Sequence, residues 1–312
     1  MRNLKNNKLS IVIPVYYNED NLIPLYKDIK EKIISKKIFQ YEIIFVDDGS
    51  KDNSWEVINK LAEKDKNIVP IKLSRNFGSN AAEYCGLFNA TGDVVVTKAA
   101  DLQEPTELIL EMYDKWLQGN NVVLAVREDR EDKSIFSELY YWLVRKTSFK
   151  DMPKHGFDTY MIDRKVVDVL KNLDEINSTI TCQLLWCGFK TVSVYYVRRK
   201  REIGTSKWTL KKKIRMVMDT LFSFSTLPIT FLSTVGVLSC VGSFIWGIYL
   251  IIDRLANGAD VPGFASLFIF QLFSFGIIMI SLGVLGNYLW RTFDATRNRP
   301  VFIVEEKNIN RK

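Results

Sequence analysis

The chain has 312 residues, with 43 Lys+Arg against 36 Asp+Glu, a net charge of +7 that suits phosphate groups, nucleic acid or anionic lipid. It carries no long basic-aromatic tract and no recognisable nucleic-acid module, so nucleotide and lipid phosphates are the preferred partners and nucleic acid is set aside. Cys85, Cys182, Cys187 and Cys240 show neither zinc-like pairing nor disulfide density, and the single histidine, His155, excludes a multi-histidine metal centre.

The N-terminus, Met1 to Lys8, is polar and has no signal-peptide core. Leu9–Val15 reads as a first strand, followed by a helix whose Leu22, Leu25, Tyr26, Ile29 and Ile33 recur at helical spacing. Tyr41–Val46 is a second strand that ends abruptly in Asp47-Asp48-Gly49-Ser50, and Ser54 has the character of an N-cap for the next helix. Ile68–Leu73 is a third strand leading into Ser74-Arg75-Asn76-Phe77-Gly78 and a helix to about Ala90. The β-branched run that begins Val94-Val95-Val96 is a buried fourth strand ending in the Asp101 carboxylate, a helix is expected from Pro105 to Gly119, and Asn121–Val126 is a fifth strand. Five strand–helix alternations predict a doubly wound α/β sheet with its ligand at the strand tips.

No glycine-rich phosphate fingerprint follows the first strand. Polar residues crowd the other strand ends instead, in the pattern of a nucleotide held by side chains. After the fourth strand, an extended chain would point Asp101 and Gln103 the same way. A carboxylate and an amide oxygen there form a hard-oxygen site for Mg²⁺ or Mn²⁺, with phosphate and water completing the shell. The plainer alternative makes Asp101 and Glu104 a capping box for the next helix.

Composition changes after about residue 215. Pro228–Ile252 and Phe264–Leu289 are apolar and long enough to span a bilayer of about 30 Å. Lys211, Lys212, Lys213 and Arg215 precede the first segment, and Arg291, Arg297 and Arg299 follow the second. The loop between them carries only Arg254, so the positive-inside rule places both termini in the cytoplasm.

Together these residues resemble a family 2 glycosyltransferase of the glycosyltransferase-A fold. More narrowly they resemble the polyprenyl-phosphate glycosyltransferases, the group of bactoprenol glucosyltransferases and dolichyl-phosphate mannose synthases. The resemblance rests on Ile13-Pro14-Val15-Tyr16, Phe45-Val46-Asp47-Asp48-Gly49-Ser50 and Leu73-Ser74-Arg75-Asn76-Phe77-Gly78. It continues through Ala100-Asp101-Leu102-Gln103, Ile162-Asp163-Arg164, Arg201-Glu202-Ile203-Gly204-Thr205-Ser206-Lys207-Trp208 and the two terminal spans.

The resemblance implies that Pro14, Tyr16, Glu19, Asp47, Asp48, Arg75, Lys98 and Gln103 hold a UDP-sugar, while Asp101 and Gln103 hold Mg²⁺ or Mn²⁺. It implies that Asp158 is the catalytic carboxylate, acting with Asp101, and that Arg201, Ser206 and Lys207 grip the acceptor phosphate. The implied organisation is a cytoplasmic glycosyltransferase domain over 1–206 and an amphipathic juxtamembrane helix over 207–223. Two transmembrane helices over 224–290 and a cytoplasmic tail over 291–312 follow. The implied enzyme is a multi-pass protein of the bacterial cytoplasmic membrane and a homo-oligomer, a tetramer by resemblance. It would transfer one sugar, from UDP-glucose or UDP-N-acetylglucosamine, to polyprenyl phosphate with inversion, for cell-envelope glycan modification.

Three departures stand out. Ala99 replaces the first carboxylate of the usual Asp-x-Asp, Asp158-Thr159-Tyr160 replaces D-F-R, and Tyr16-Tyr17-Asn18-Glu19 carries one extra tyrosine. The first of these places the metal requirement in question and leaves a non-catalytic sugar-nucleotide-binding partner as one alternative. A processive polysaccharide synthase is the other, although Gln183-Leu184-Leu185-Trp186 lacks the arginine of its signature.

Overall fold

The structure is a computed structural model and describes residues 7–128, 135–173, 178–199, 210–257 and 263–307. The chain forms two compact units, Met1–Lys213 with Arg299–Lys312, and Ile214–Asn298.

In the first unit, β1 (Lys8–Val15), β2 (Gln40–Asp47), β3 (Ile68–Leu73) and β4 (Val94–Thr97) are parallel, and their β-branched runs are buried on both faces. They alternate with α1 (Glu19–Lys32), α2 (Ser54–Lys64), α3 (Ser79–Asn89) and α4 (Leu108–Leu117). Next come β5 (Val122–Arg127), α5 (Ile135–Thr147), β6 (Phe157–Asp163), α6 (Arg164–Lys171), α7 (Ile180–Trp186) and β7 (Thr191–Tyr196). The sheet order is β7-β5-β6-β4-β1-β2-β3-β8, with β6 antiparallel between β5 and β4. The doubly wound α/β expectation therefore holds for a mostly parallel, mixed sheet.

Leu9, Ile11, Ile13, Ile43 and Phe45 share one buried core with Leu22, Leu25, Ile58, Ile109 and Tyr113, residues of α1, α2 and α4. Strand alternation sends Val12 to the opposite face, against α3. A Cβ at Gly86 would lie 2.1 Å from Val12 Cγ1, so glycine is what lets α3 close onto β1.

Several local expectations change. Ser54 is the first residue of α2 and caps nothing, because its hydroxyl accepts the Asn18 N–H at 3.1 Å while Asp52 accepts the Ser54 N–H. α4 begins at Leu108, and Pro105 opens a turn that receives the Leu108 N–H. Gly119 ends that helix with φ +92°, as its position predicts. The C-terminal segment does more than trail. Val304–Lys307 forms β8, antiparallel to β3, with Lys72 beside Glu305 and Phe302 near the Phe88 ring.

The second unit holds most of α8 (Leu210–Phe224), all of α9 (Leu227–Asn257) and α10 (Phe264–Thr296). Leu227–Asp253 and Phe270–Thr296 are long and apolar enough to cross a membrane. Their large side chains face outward, with Phe244 69 % and Leu289 70 % exposed. Apolar surface of that extent marks an interaction surface. At one end of the unit, Arg291 reaches Asp219 at 2.7 Å and Ser223 at 2.9 Å, and Phe222 meets the Tyr288 ring, which ties α8 to α10.

Candidate active site

The parallel strands end on one edge, at Val15, Asp47, Leu73, Thr97, Arg127 and Tyr196, and antiparallel β6 begins there at Phe157. In an open α/β sheet this is the edge that receives ligand.

At the β1–β2–β3 tips, Asp48 accepts backbone N–H groups from Phe77 at 2.7 Å and Gly78 at 2.9 Å, clasping the loop that carries Arg75 and Asn76 to the start of α3. Gly49, at φ +69°, lets the turn pass that loop, since a Cβ would lie 2.5 Å from the Arg75 carbonyl carbon. Burial raises the Asp48 carboxyl against the pull of those two N–H groups. Burial raises Asp47 as well, whose Oδ1 accepts the Ser50 N–H at 3.2 Å and whose buried Oδ2 has no partner. Burial likewise raises the Tyr16 phenol, which lies near Asp48 and Asn76. Glu19 accepts the Asn53 N–H at 2.7 Å, joining the start of α1 to that of α2. The extra tyrosine, Tyr17, is absorbed in a left-handed conformation at φ +55°, with its N–H on Ser50 Oγ at 3.0 Å. Arg75 is exposed and stacks 4.1 Å from the centre of the Phe77 ring.

Beyond β4 the chain turns instead of extending. Leu102 takes φ +58°, Asp101 Oδ1 accepts the Gln103 N–H at 3.3 Å, and Glu104 bonds Thr159, so no capping box forms. Asp101 and Gln103 still converge. The Arg198 guanidinium donates to Gln103 Oε1 and lies 3.6 Å from Asp101 Oδ2. Lys98, 2 % exposed, aims its ammonium at the Glu104 carbonyl at 3.0 Å. Burial lowers the Lys98 pKa, opposed by Glu104, Asp28 and Asp101. Burial raises that of Glu104 despite Lys98.

The third group lies where β5 meets β6. Ala125 pairs with Thr159 and Val126 with Phe157, which leaves Asp158 as the extra residue of a bulge. Bulges re-aim side chains at site rims. Asp158 stays 58 % exposed and ion-pairs with Arg127 at the tip of β5.

A carboxylate–amide pair, an exposed carboxylate and an aspartate-clasped loop thus share one sheet edge. The sequence pattern described as Glycosyl transferase family 2 matches residues 10–171. A bactoprenol glucosyl transferase homolog of an Escherichia coli prophage is 36% identical over 96% of this chain and 98% of its own length. The chain belongs to glycosyl transferase family 2. The bactoprenol glucosyl transferase of Shigella phage SfV is 36% identical over 96% of this chain and 99% of its own. Mannosyl-3-phosphoglycerate synthase from Rubrobacter xylanophilus superposes with a TM-score of 0.51 at 16% identity, covering 69% of this chain and 72% of that one. The first unit thus has the glycosyltransferase-A fold. Glucosyl-3-phosphoglycerate synthase from Mycobacterium tuberculosis, in complex with Mn²⁺, uridine diphosphate and phosphoglyceric acid, gives 0.50 at 14% identity over 69% of this chain and 78% of that one.

Within this family 2 glycosyltransferase, Arg127 reaches the candidate residue Asp158 and Arg198 reaches Asp101 and Gln103, contacts that sequence reasoning missed. Arg127 pairs with Asp158 across two strands, where the absent arginine of D-F-R left a gap in the motif. The signal for Arg198 was its place two residues past a strand tip, in a strand not foreseen. Arg201, Ser206 and Lys207 lie outside the described residues. The Asp101 carboxylate and Gln103 amide oxygen already meet on one cation, a donor set that fits a hard divalent ion. No three His, Cys, Asp or Glu side chains gather around a common point among the described residues, so phosphate and water would supply the remaining ligands.

Proposed function

We propose that this glycosyltransferase moves one sugar, with inversion, from UDP-glucose or UDP-N-acetylglucosamine to undecaprenyl phosphate at the cytoplasmic face of a bacterial membrane. The product would serve cell-envelope glycan modification. The observation that carries this reading is the meeting of Asp101, Gln103 and Arg198 on the sheet edge where Arg127 presents Asp158. The near full-length likeness to bactoprenol glucosyl transferases supports the lipid acceptor.

Two anions must meet in this reaction. A phosphate monoester has a second pKa of about 6, so at neutral pH the acceptor is largely dianionic and already nucleophilic. Asp158 therefore orients the acceptor or engages the sugar, and strong base catalysis is unnecessary. The Tyr16, Asp47 and Asp48 tips hold the nucleoside end. Arg201, Ser206 and Lys207 hold the acceptor phosphate, because guanidinium and ammonium groups match its oxygens. A divalent ion at Asp101 and Gln103 would screen the donor diphosphate and favour departure of UDP. The Mn²⁺ named with a structural neighbour is consistent with such a site.

The two apolar helices form the anchor, and α8 lies along the bilayer surface. Strand β8 follows α10 yet pairs with β3, so both ends of the helical hairpin rejoin one domain. Two crossings with both ends on one side fit the basic flanks, which favour the cytoplasm. The helix faces where a Cβ added at Gly236, Gly242 or Gly247 would meet nothing within 4 Å suit a homo-oligomer.

The test is incubation of the purified full-length protein with labelled UDP-sugars and undecaprenyl phosphate. Label moving into organic solvent is expected, and EDTA should slow it. Nucleotide binding without transfer would replace the proposal with a non-catalytic partner, and insoluble polymer would replace it with a processive synthase.

A further inference from the structure

Arg198 is held in an unusual way for a surface cation. Just past β7, the Arg199 N–H donates to the Gln103 carbonyl at 2.9 Å and Gln103 Nε2 donates to the Arg199 carbonyl at 3.3 Å. This two-way clasp fixes the segment against the Asp101 turn and delivers the guanidinium to Gln103 Oε1 and Asp101 Oδ2. The side chain is 31% exposed, but its Nε is buried and has no acceptor. Nε and Nη2 form the edge of a guanidinium that grips oxyanions bidentately. Here Nη2 is engaged by Gln103 and Asp101, and Nε has no hydrogen-bond acceptor among the described residues.

An unanswered charged donor at a donor-binding edge calls for an oxyanion. The local charge points the same way. Ala99 stands where a second carboxylate would be, so Asp101 is the one acidic side chain of the 99–103 turn, and Arg198 balances it. A divalent ion and the guanidinium would compete for the same two oxygens.

We propose that Arg198 is a diphosphate-binding residue of the donor site, and that in the nucleotide-free protein it occupies the cation position between Asp101 and Gln103. The diphosphate draws the guanidinium toward its own oxygens and away from Asp101 and Gln103, so metal enters together with nucleotide and binds poorly before it. This inference rests on the sugar-nucleotide reading above and adds a residue and an order of binding to it.

Two binding measurements on the full-length protein in detergent test it. Calorimetry with UDP in EDTA should show about a tenfold or greater loss of affinity for Arg198→Ala, since a hydrogen bond to a charged group is at stake. Electron paramagnetic resonance with Mn²⁺ and no nucleotide should show severalfold tighter binding by the same variant, because the resident cation is gone. Arg198→Lys keeps the charge without the fork and should fall between wild type and Arg198→Ala in both, which covers the case of a poorly folded alanine variant. UDP affinity in EDTA within twofold of wild type, or unchanged Mn²⁺ binding, overturns the proposal. Wild-type protein that binds no UDP with or without Mn²⁺ overturns the sugar-nucleotide reading itself, and this inference with it.

Discussion

The two ends of the central sheet treat their buried carboxylates in opposite ways. At the end where β1 begins, Glu42 is 2 % exposed and receives Lys8 Nζ at 2.6 Å, Ser10 Oγ at 2.7 Å and the Thr91 N–H at 2.6 Å. Ser10 in turn accepts the Gly92 N–H at 2.9 Å. Burial alone would raise the Glu42 carboxyl, but Lys8, Ser10 and Thr91 outweigh it and hold it near about 2. At the opposite edge, burial raises Asp47, Asp48 and Glu104, and Asp47 Oδ2, Glu104 Oε2 and Arg198 Nε are buried without partners. One end satisfies its polar groups and stabilises the fold. The other keeps unused hydrogen-bonding capacity and two left-handed non-glycine residues, Tyr17 and Leu102, the kind of local frustration that gathers where a ligand binds.

If that division is right, substitutions at the two ends should fail differently. The largest effect is expected for Asp158→Asn, which removes the charge that orients acceptor or sugar and should lower sugar transfer by about a hundredfold with an unchanged unfolding midpoint. Asp158 is 58 % exposed, and an asparagine there keeps an oxygen that can accept from Arg127, itself only 15 % exposed, so little stability is lost. A comparable drop in midpoint would show that Asp158 is structural.

At the other end, Glu42→Ala should cost about 3 kcal/mol of stability, because it strands Lys8, Ser10 and the Thr91 N–H together. Transfer per folded molecule should stay within about twofold, since this cluster lies at the end of the sheet opposite the candidate site. The pH dependence has a defined sign. The folded pKa lies below the unfolded one, so this stability is present above about 4.5 and is lost as pH falls through about 2. Denaturant titration and the transfer assay at matched folded fraction check both parts.

Asp48 sits between these extremes, and Asp48→Asn should show both kinds of failure at smaller size. An amide has one acceptor oxygen for the two N–H groups of Phe77 and Gly78, so about 1–2 kcal/mol should be lost. The loosened Arg75–Asn76 loop should weaken UDP binding severalfold in calorimetry. Stability loss with unaltered UDP binding would remove Asp48 from the nucleotide site and leave it a loop clasp.

The parallel half of the sheet was legible because β-branched runs and helical repeats are local signals. The order Leu9–Val15, Tyr41–Val46, Ile68–Leu73 and Val94–Thr97 needed only neighbours in sequence. What was hidden depends on pairing at long range. Antiparallel β6 with its bulge at Asp158, the edge strand β8 and the two arginines all take their meaning from residues far away in the chain. Ser54 shows the same limit on a small scale. Its residue type suggests a cap, but the incoming Asn18 N–H claims its hydroxyl, and nothing near Ser54 in sequence announces that contact.

The last expected effect concerns Glu83 on α3, which no motif marks and which should act on stability alone. It accepts the Tyr160 hydroxyl at 2.9 Å, and burial, opposed by that bond and reinforced by the charges of Asp158 and Glu104, pushes its pKa up to about 8. The folded protein therefore holds a proton there at neutral pH that the unfolded chain, with a carboxyl near 4.5, has released. With more protons bound in the folded state, stability must fall as pH rises from about 4.5 through about 8, then level off. Glu83→Gln keeps an acceptor for Tyr160 and cannot titrate, so it should flatten that decline in the thermal midpoint. The Glu42 limb at low pH should survive unchanged in the same variant. If the neutral-pH slope survives too, Glu83 is ionised in the folded protein, and the ligand edge carries one more negative charge than its environment favours.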